Sequence, residues 1–215
     1  MKKSWAIAIG REFCSGGTEV AHKVAERLNV PYYDRDLIDQ AIQKTNLSRE
    51  TVLEYEEKPE SFWKADPYGS RLYRDDPTLV LPIHTRIYEA QCEAIREFAG
   101  RGNCVFVGRC SDYVLDECSQ ILDVISIFIR ADLDLRVQRC MRLNNLSEAE
   151  ARKLILKTDK VRARYYNAHT NREWGAIDNY TLIVDTGEFG TDGAAAMIEA
   201  AVRVVSDAHE RPYRI

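Results

Sequence analysis

Short apolar runs alternate along this chain with segments whose apolar residues recur every three or four positions. The runs cover residues 5–9, 104–107, 125–129 and 182–184, and each stops abruptly at a glycine or a polar residue. Runs of this length without strict alternation suit strands buried on both faces, as in a parallel sheet. Between them, Val20, Ala21, Val24, Ala25 and Leu28 fall on one helix face, as do Ile87, Ala90, Ala94, Ile95 and Phe98, and then Met197, Ile198, Ala201, Val202 and Val205. Val30-Pro31-Tyr32-Tyr33 adds a short extended piece that ends at Asp34. Strand and helix alternate, which predicts an α/β three-layer domain around a parallel sheet of about five strands.

Two segments break the rhythm. Residues 55–81 carry Pro59, Pro67 and Pro77 among acids and aromatics, so an irregular insertion is expected there and not a continuous helix. Ser147 and Glu150 have capping-box spacing and predict a helix start. From residue 152 to 172 that helix carries seven Lys or Arg against one acid, Asp159.

Composition narrows the class. The 215 residues are 45% hydrophobic and 30% charged, enough for a core and too apolar for a disordered chain. One domain over residues 1–215 is expected, with the insertion at 55–81 and the basic segment at 147–172 as its appendages. A formal net charge of −4 gives no overall positive field for nucleic acid. The run at 5–9 is too short for a signal-peptide core, and no stretch approaches the length of a membrane span, so a soluble cytoplasmic protein is expected. Six cysteines without a Cys-x-x-Cys pair read as reduced thiols in or near the core, and the four histidines show no ligand or triad spacing.

The stretch richest in chemistry is Gly10-Arg-Glu-Phe-Cys-Ser-Gly16-Gly17-Thr18, directly after a buried strand and before an amphipathic helix. Glycine there lets backbone amides approach a phosphate, the helix start adds partial positive charge, and Thr18 offers a hydroxyl to Mg²⁺. A regular P-loop, G-x-x-x-x-G-K-[ST], has lysine where this chain has Gly17. Two other readings stand beside it: a glycine-rich turn with no ligand, and a dinucleotide-binding turn with Asp34 on the ribose, although the G-x-G-x-x-G spacing is absent.

Taken together with Tyr33-Asp34, Gly108-Arg109 and Asp159-Lys-Val-Arg162, this loop makes the chain resemble the cytidylate-kinase-like family of P-loop proteins, from about residue 5 to 205. That family commonly shows a Gly-Ser-Gly-Gly type loop, so the missing lysine looks like a family trait. The resemblance implies a P-loop nucleoside monophosphate kinase fold with a monophosphate-binding insertion and a basic helical lid. It also implies transfer of a phosphoryl group from ATP, with Mg²⁺, to a small phosphorylated acceptor.

Residue by residue, the resemblance implies phosphate binding by the loop at Ser15, Gly16, Gly17 and Thr18, and Mg²⁺ binding by Thr18 with Asp34 as a further metal or acceptor contact. Arg109, Asp159, Arg162 and Arg164 are the expected catalytic group, with Arg139 and Arg142 as further lid candidates. The chain departs from true cytidylate kinases where Arg35-Asp36 replaces Thr-Gly and Cys110 replaces the acid of Gly-Arg-Asp, at base and sugar contacts. Arg11 is the expected substitute for the lysine charge, against the simpler possibility that it pairs with Glu12 or Glu19 at the surface. Lys23 is expected to point away, and Tyr165 and Tyr166 to serve packing. A nucleotide-binding or regulatory protein on the same fold, without catalysis, is the alternative function.

Overall fold

Ala6, Ile7, Ala8 and Ile9 are all buried because their strand runs between two others, with both faces covered. The computed structural model of the chain describes residues 4–57 and 83–208. Five parallel strands, β1 (Ser4–Arg11), β2 (Tyr32–Tyr33), β3 (Cys104–Val107), β4 (Leu122–Arg130) and β5 (Leu182–Asp185), form one sheet in the order β2-β3-β1-β4-β5. The expected three-layer α/β domain is thus observed. The predicted insertion lies outside the described residues apart from 55–57, which close helix α3 (Arg49–Glu57).

Alternation along β1 divides the core in two. Ile7 and Ile9 pack with Val105, Val107, Ile125, Ile127 and Ile129 under α1 (Gly17–Leu28) and α8 (Thr186–Ala208), the latter broken at Gly190. Ala6 and Ala8 face the other side, towards α4 (Ile83–Ala99) and α5 (Ser111–Asp116), where Ile95, Phe98, Phe106 and Leu115 fill the layer. Each fully buried Val, Ile or Leu contributes about 1.5–3 kcal/mol relative to exposure.

Helix ends follow from single residues. Asn29, Asn46, Asn145 and Asn171 close α1, α2 (Arg35–Thr45), α6 (Leu133–Asn144) and α7 (Glu148–Thr170), each in the left-handed region that asparagine tolerates. The Ser147–Glu150 capping box starts α7 as expected. A small satellite cluster, Val137, Cys140, Ala151 and Ile155 with Phe13 and Cys14, packs α6 and α7 onto the glycine loop. Among the described residues no helix is long and apolar enough to cross a membrane.

Candidate active site

The loop after β1 holds its shape through its own backbone. Ser15 donates its N–H to the Glu12 carbonyl at 3.3 Å, and its hydroxyl to the carbonyls of Glu12 at 2.9 Å and Ile129 at 3.3 Å. Ser15 is therefore a staple of the loop, buried and already engaged. The first-turn N–H groups of Gly17, Thr18 and Glu19 have no carbonyl one turn back inside the helix, whereas the Val20 N–H donates to the Gly16 carbonyl at 2.9 Å. Gly16, at φ 86°, supplies the left-handed turn that leads into them.

Arg11 fills the space beside Gly17, the position that carries lysine in a regular P-loop. A Cβ added at Gly17 would lie 2.4 Å from the Arg11 Cβ, and one at Gly108 would lie 2.2 Å from its Nη1. The side chain therefore runs across Gly17 and ends against Gly108, in space that a side chain at either position would take. It is largely buried, with its Nε fully so. Burial and the neighbouring Arg162 cation push its pKa down to about 9, with Asp34 pulling the other way, so it stays cationic at neutral pH. No surface pairing with Glu12 or Glu19 is seen: Glu12 accepts the Ala131 N–H at 3.0 Å, while Glu19 takes Arg139, Lys23 and the Thr191 hydroxyl. Lys23 turns to Glu19 and Asp192, away from the loop as expected.

Arg11 meets two other arginines. A cavity of about 110 Å³ at the carboxyl edge of β1 and β3 is lined by Arg11, Arg109 and Arg162 together with Asp112, Tyr165 and Tyr166. This is where open α/β sheets bind ligands. Gly108, Arg109 and Cys110 are consecutive left-handed residues, at φ 69°, 56° and 54°. Such strain in two non-glycine residues costs on the order of 1–3 kcal/mol each and is typical of functional turns. Arg162 donates to the Arg11 carbonyl at 3.1 Å and lies over the Phe13 ring at 5.4 Å. Its pKa is lowered by burial, with Asp159 opposing and Arg109 adding to the fall. Three cations thus share one cavity with the carboxylate of Asp112.

The remaining expected residues divide. Asp34 stands at the start of α2 without capping it, its carboxylate accepting the Tyr32 hydroxyl at 3.3 Å and facing the charges of Arg11 and Arg162. Thr18 is exposed on the first turn of α1. Arg164 does not line the cavity, since it lies about 200° around α7 from Arg162. Asp159 does not line it either, and both its oxygens are engaged, one by the Phe13 N–H at 2.7 Å and one by Arg136.

Arg139 and Arg142 line a second cavity, of about 290 Å³, with Cys14, Ser15, Leu135 and Thr186 on the other side of the loop. The Arg139 guanidinium carbon lies 3.4 Å from where a Gly16 Cβ would be, so this cation overhangs the loop. The glycine loop thus separates two cavities that both carry arginine.

Sequence reasoning missed Asp112 and the aromatic wall. Asp112 is buried and accepts the Tyr166 hydroxyl at 2.6 Å; burial raises its pKa. Tyr165, Tyr166, Trp174 and Tyr180 line the same cavity, so the two tyrosines do more than pack. The available signal was the position of Asp112, three residues beyond Arg109 in a helix that starts at the sheet edge.

Comparison with known proteins gives the same picture. The profile of the cytidylate kinase-like family matches residues 6–188. A cytidylate kinase of Methanothrix thermoacetophila is 27% identical over 53% of this chain and 62% of its own length. One of Methanopyrus kandleri is 24% identical over 93% of both chains. A crystallised protein of Eubacterium ventriosum is 29% identical, covers 93% of this chain and 99% of its own, and superposes with a TM-score of 0.67. Shikimate kinase of Bacteroides thetaiotaomicron, at 11% identity, covers 93% of this chain and 99% of its own with a TM-score of 0.53, and shares the fold.

Proposed function

The chain belongs to the cytidylate kinase-like family, and from that premise we propose that it is a cytoplasmic phosphotransferase moving the terminal phosphoryl group of Mg²⁺-ATP to a nucleoside monophosphate. Cytidylate is the first acceptor to test, because the two curated relatives are named cytidylate kinases. The observation that carries the reading is the convergence of Arg11, Arg109 and Arg162 on one cavity beside a phosphate-binding loop.

Phosphoryl transfer needs positioning and charge neutralisation more than covalent chemistry. The triphosphate enters from the Arg139 and Arg142 side, its phosphates held by the N–H groups that open α1. Its terminal phosphoryl is presented to the three-arginine cavity, where the acceptor phosphate binds. Arg11 carries the full positive charge that a P-loop lysine would supply. Bound Mg²⁺ would supply charge neutralisation for the phosphates. The hydroxyl of Thr18 and the carboxylate of Asp34 are the hard oxygen donors suited to it. Asp112 and the tyrosine wall face the body of the acceptor.

The test is phosphoryl transfer from Mg²⁺-ATP to a panel of nucleoside monophosphates by the wild-type chain, Arg109→Met and Arg162→Met. Turnover of at least one monophosphate is expected, with kcat/KM reduced about 100-fold in each variant, the order found for removal of one transition-state donor. Tight triphosphate binding with no turnover of any monophosphate would refute the reading and return the non-catalytic nucleotide-binding protein.

A further inference from the structure

Asp159 comes from the lid helix, yet its carboxylate is turned to the glycine loop and lines neither cavity, while its partner Arg136 also lines the second one. One oxygen accepts the Phe13 N–H at 2.7 Å and the other accepts Arg136 Nη1. Arg136 in turn donates to the Phe13 carbonyl at 3.4 Å, and its Nε lies 3.6 Å from the Glu12 carboxylate. That Glu12 oxygen accepts the Ala131 N–H at the end of β4. The N–H and the C=O of Phe13 are therefore gripped by two charged side chains from two different helices.

Burial sets this pair apart from the other ion pairs of the lid. The Arg136 side chain is 8% exposed and that of Asp159 16%, against 39% and 74% for Arg152 and Asp134 on the same two helices. A buried, hydrogen-bonded pair is costly to break from one side, because it strands the other charge. Arg162 lies three residues on from Asp159, on the same face of α7, and donates to the Arg11 carbonyl. Together the two side chains bracket Glu12, fastening the loop on either side of it.

We propose that Asp159 and Arg136 form a positioning clamp that fixes the glycine loop at Phe13 and sets the register of α7, so that Arg162 reaches the cavity. Asp159 is thus a positioning residue that acts through the loop and not a contact to the nucleotide. The functional consequence rests on the phosphotransferase reading; the structural one does not. The clamp ties donor binding to the lid, because the backbone it holds leads directly into the N–H groups at the start of α1.

Two measurements on Asp159→Asn, Arg136→Lys and the double variant test the clamp. Amide hydrogen exchange in the ligand-free chain should rise at least tenfold over residues 11–16 in each single variant, while the central strands β1 (to Ile9) and β4 keep their protection. The double variant should be no worse than the worse single one, since both remove one unit. In steady-state assays with Mg²⁺-ATP and cytidine monophosphate, the KM for ATP should rise about tenfold and kcat/KM for the monophosphate should fall with it, because Arg162 loses its register in the acceptor cavity. Unchanged exchange at 11–16, an equal rise throughout the central strands, or an effect on only one of the two substrates would each overturn the clamp. A wild-type chain without turnover would sink the phosphotransferase reading alone, and the exchange measurement would still decide the clamp.

Discussion

Arg11 and Gly17 are mutually dependent if the arginine has taken the place of the P-loop lysine, and that dependence is measurable without any ligand. The perturbation is Gly17→Ala. Its new Cβ would stand 2.4 Å from the Arg11 Cβ, 2.9 Å from its Cγ and 3.3 Å from the Cβ of fully buried Ile129. The first distance is about 1 Å inside ordinary contact, and the Arg11 backbone cannot readily withdraw, since β1 is paired on both sides through Ile9 and with β4 through Gly10 and Arg11. Overpacking of this kind costs about 1–3 kcal/mol. In an Arg11→Gly background the two closest contacts vanish, and alanine is then favoured over glycine in a helix by up to about 1 kcal/mol. The substitution should thus change sign, giving a coupling energy of about 2–3 kcal/mol. Arg11→Ala is the control: it keeps the Cβ and so should keep most of the clash. Urea unfolding midpoints of the four members of the cycle, compared at constant m, supply the values. Additivity within about 0.5 kcal/mol would refute the exchange of lysine for arginine as a packing event.

Two further outcomes concern buried titrating groups. His169 stacks on Tyr88 with ring centroids 3.9 Å apart, and burial together with His84 lowers its pKa from 6.5 to about 4. The unfolded chain takes up this proton first, so stability rises with pH from about 4 to 6.5 and acidification costs up to about 3 kcal/mol. His169→Gln should flatten that fall, and wild-type and variant unfolding profiles that stay parallel would discard the account. At Asp112 burial acts in the other direction, raising the pKa above 3.8. The folded chain then holds the proton longer, and the wild type loses stability relative to Asp112→Asn as pH rises through that raised value. A melting temperature of Asp112→Asn minus that of the wild type that falls over that rise would contradict the assignment.

The sheet was legible because parallel strands buried on both faces leave continuous apolar runs, and all four such runs became strands. The fifth, β2, was visible only as Tyr32-Tyr33 before an acid, and it is two residues long. The capping box at Ser147 and the asparagines that close four helices are local signals, readable within a few residues. What could not be read was contact across the chain. The Asp159 carboxylate finds the Phe13 amide 146 residues away, and no periodicity encodes that pairing. The left-handed conformations of Arg109 and Cys110 were equally hidden, because local preference assigns that region to glycine and asparagine.

These long-range contacts change what the missing lysine means. In the regular motif the lysine rises from the loop itself and reaches the donor phosphates. Here the cation enters from the last residue of β1, passes over Gly17 and Gly108, and ends among Arg109 and Arg162 in the cavity assigned to the acceptor. On the proposed assignment of the two cavities, the charge of Arg11 thus lies towards the acceptor side of the loop, and Arg139, overhanging Gly16, stands with Arg136 and Arg142 beside the donor path. Arg139 is held by Glu19 on the first turn of α1, and Arg139 helps bring the Glu19 pKa down to about 2, after the Thr191 hydroxyl. On that assignment an incoming triphosphate competes with Glu19 for Arg139, and an anion entering the other cavity competes with Asp34, which already faces Arg11 and Arg162.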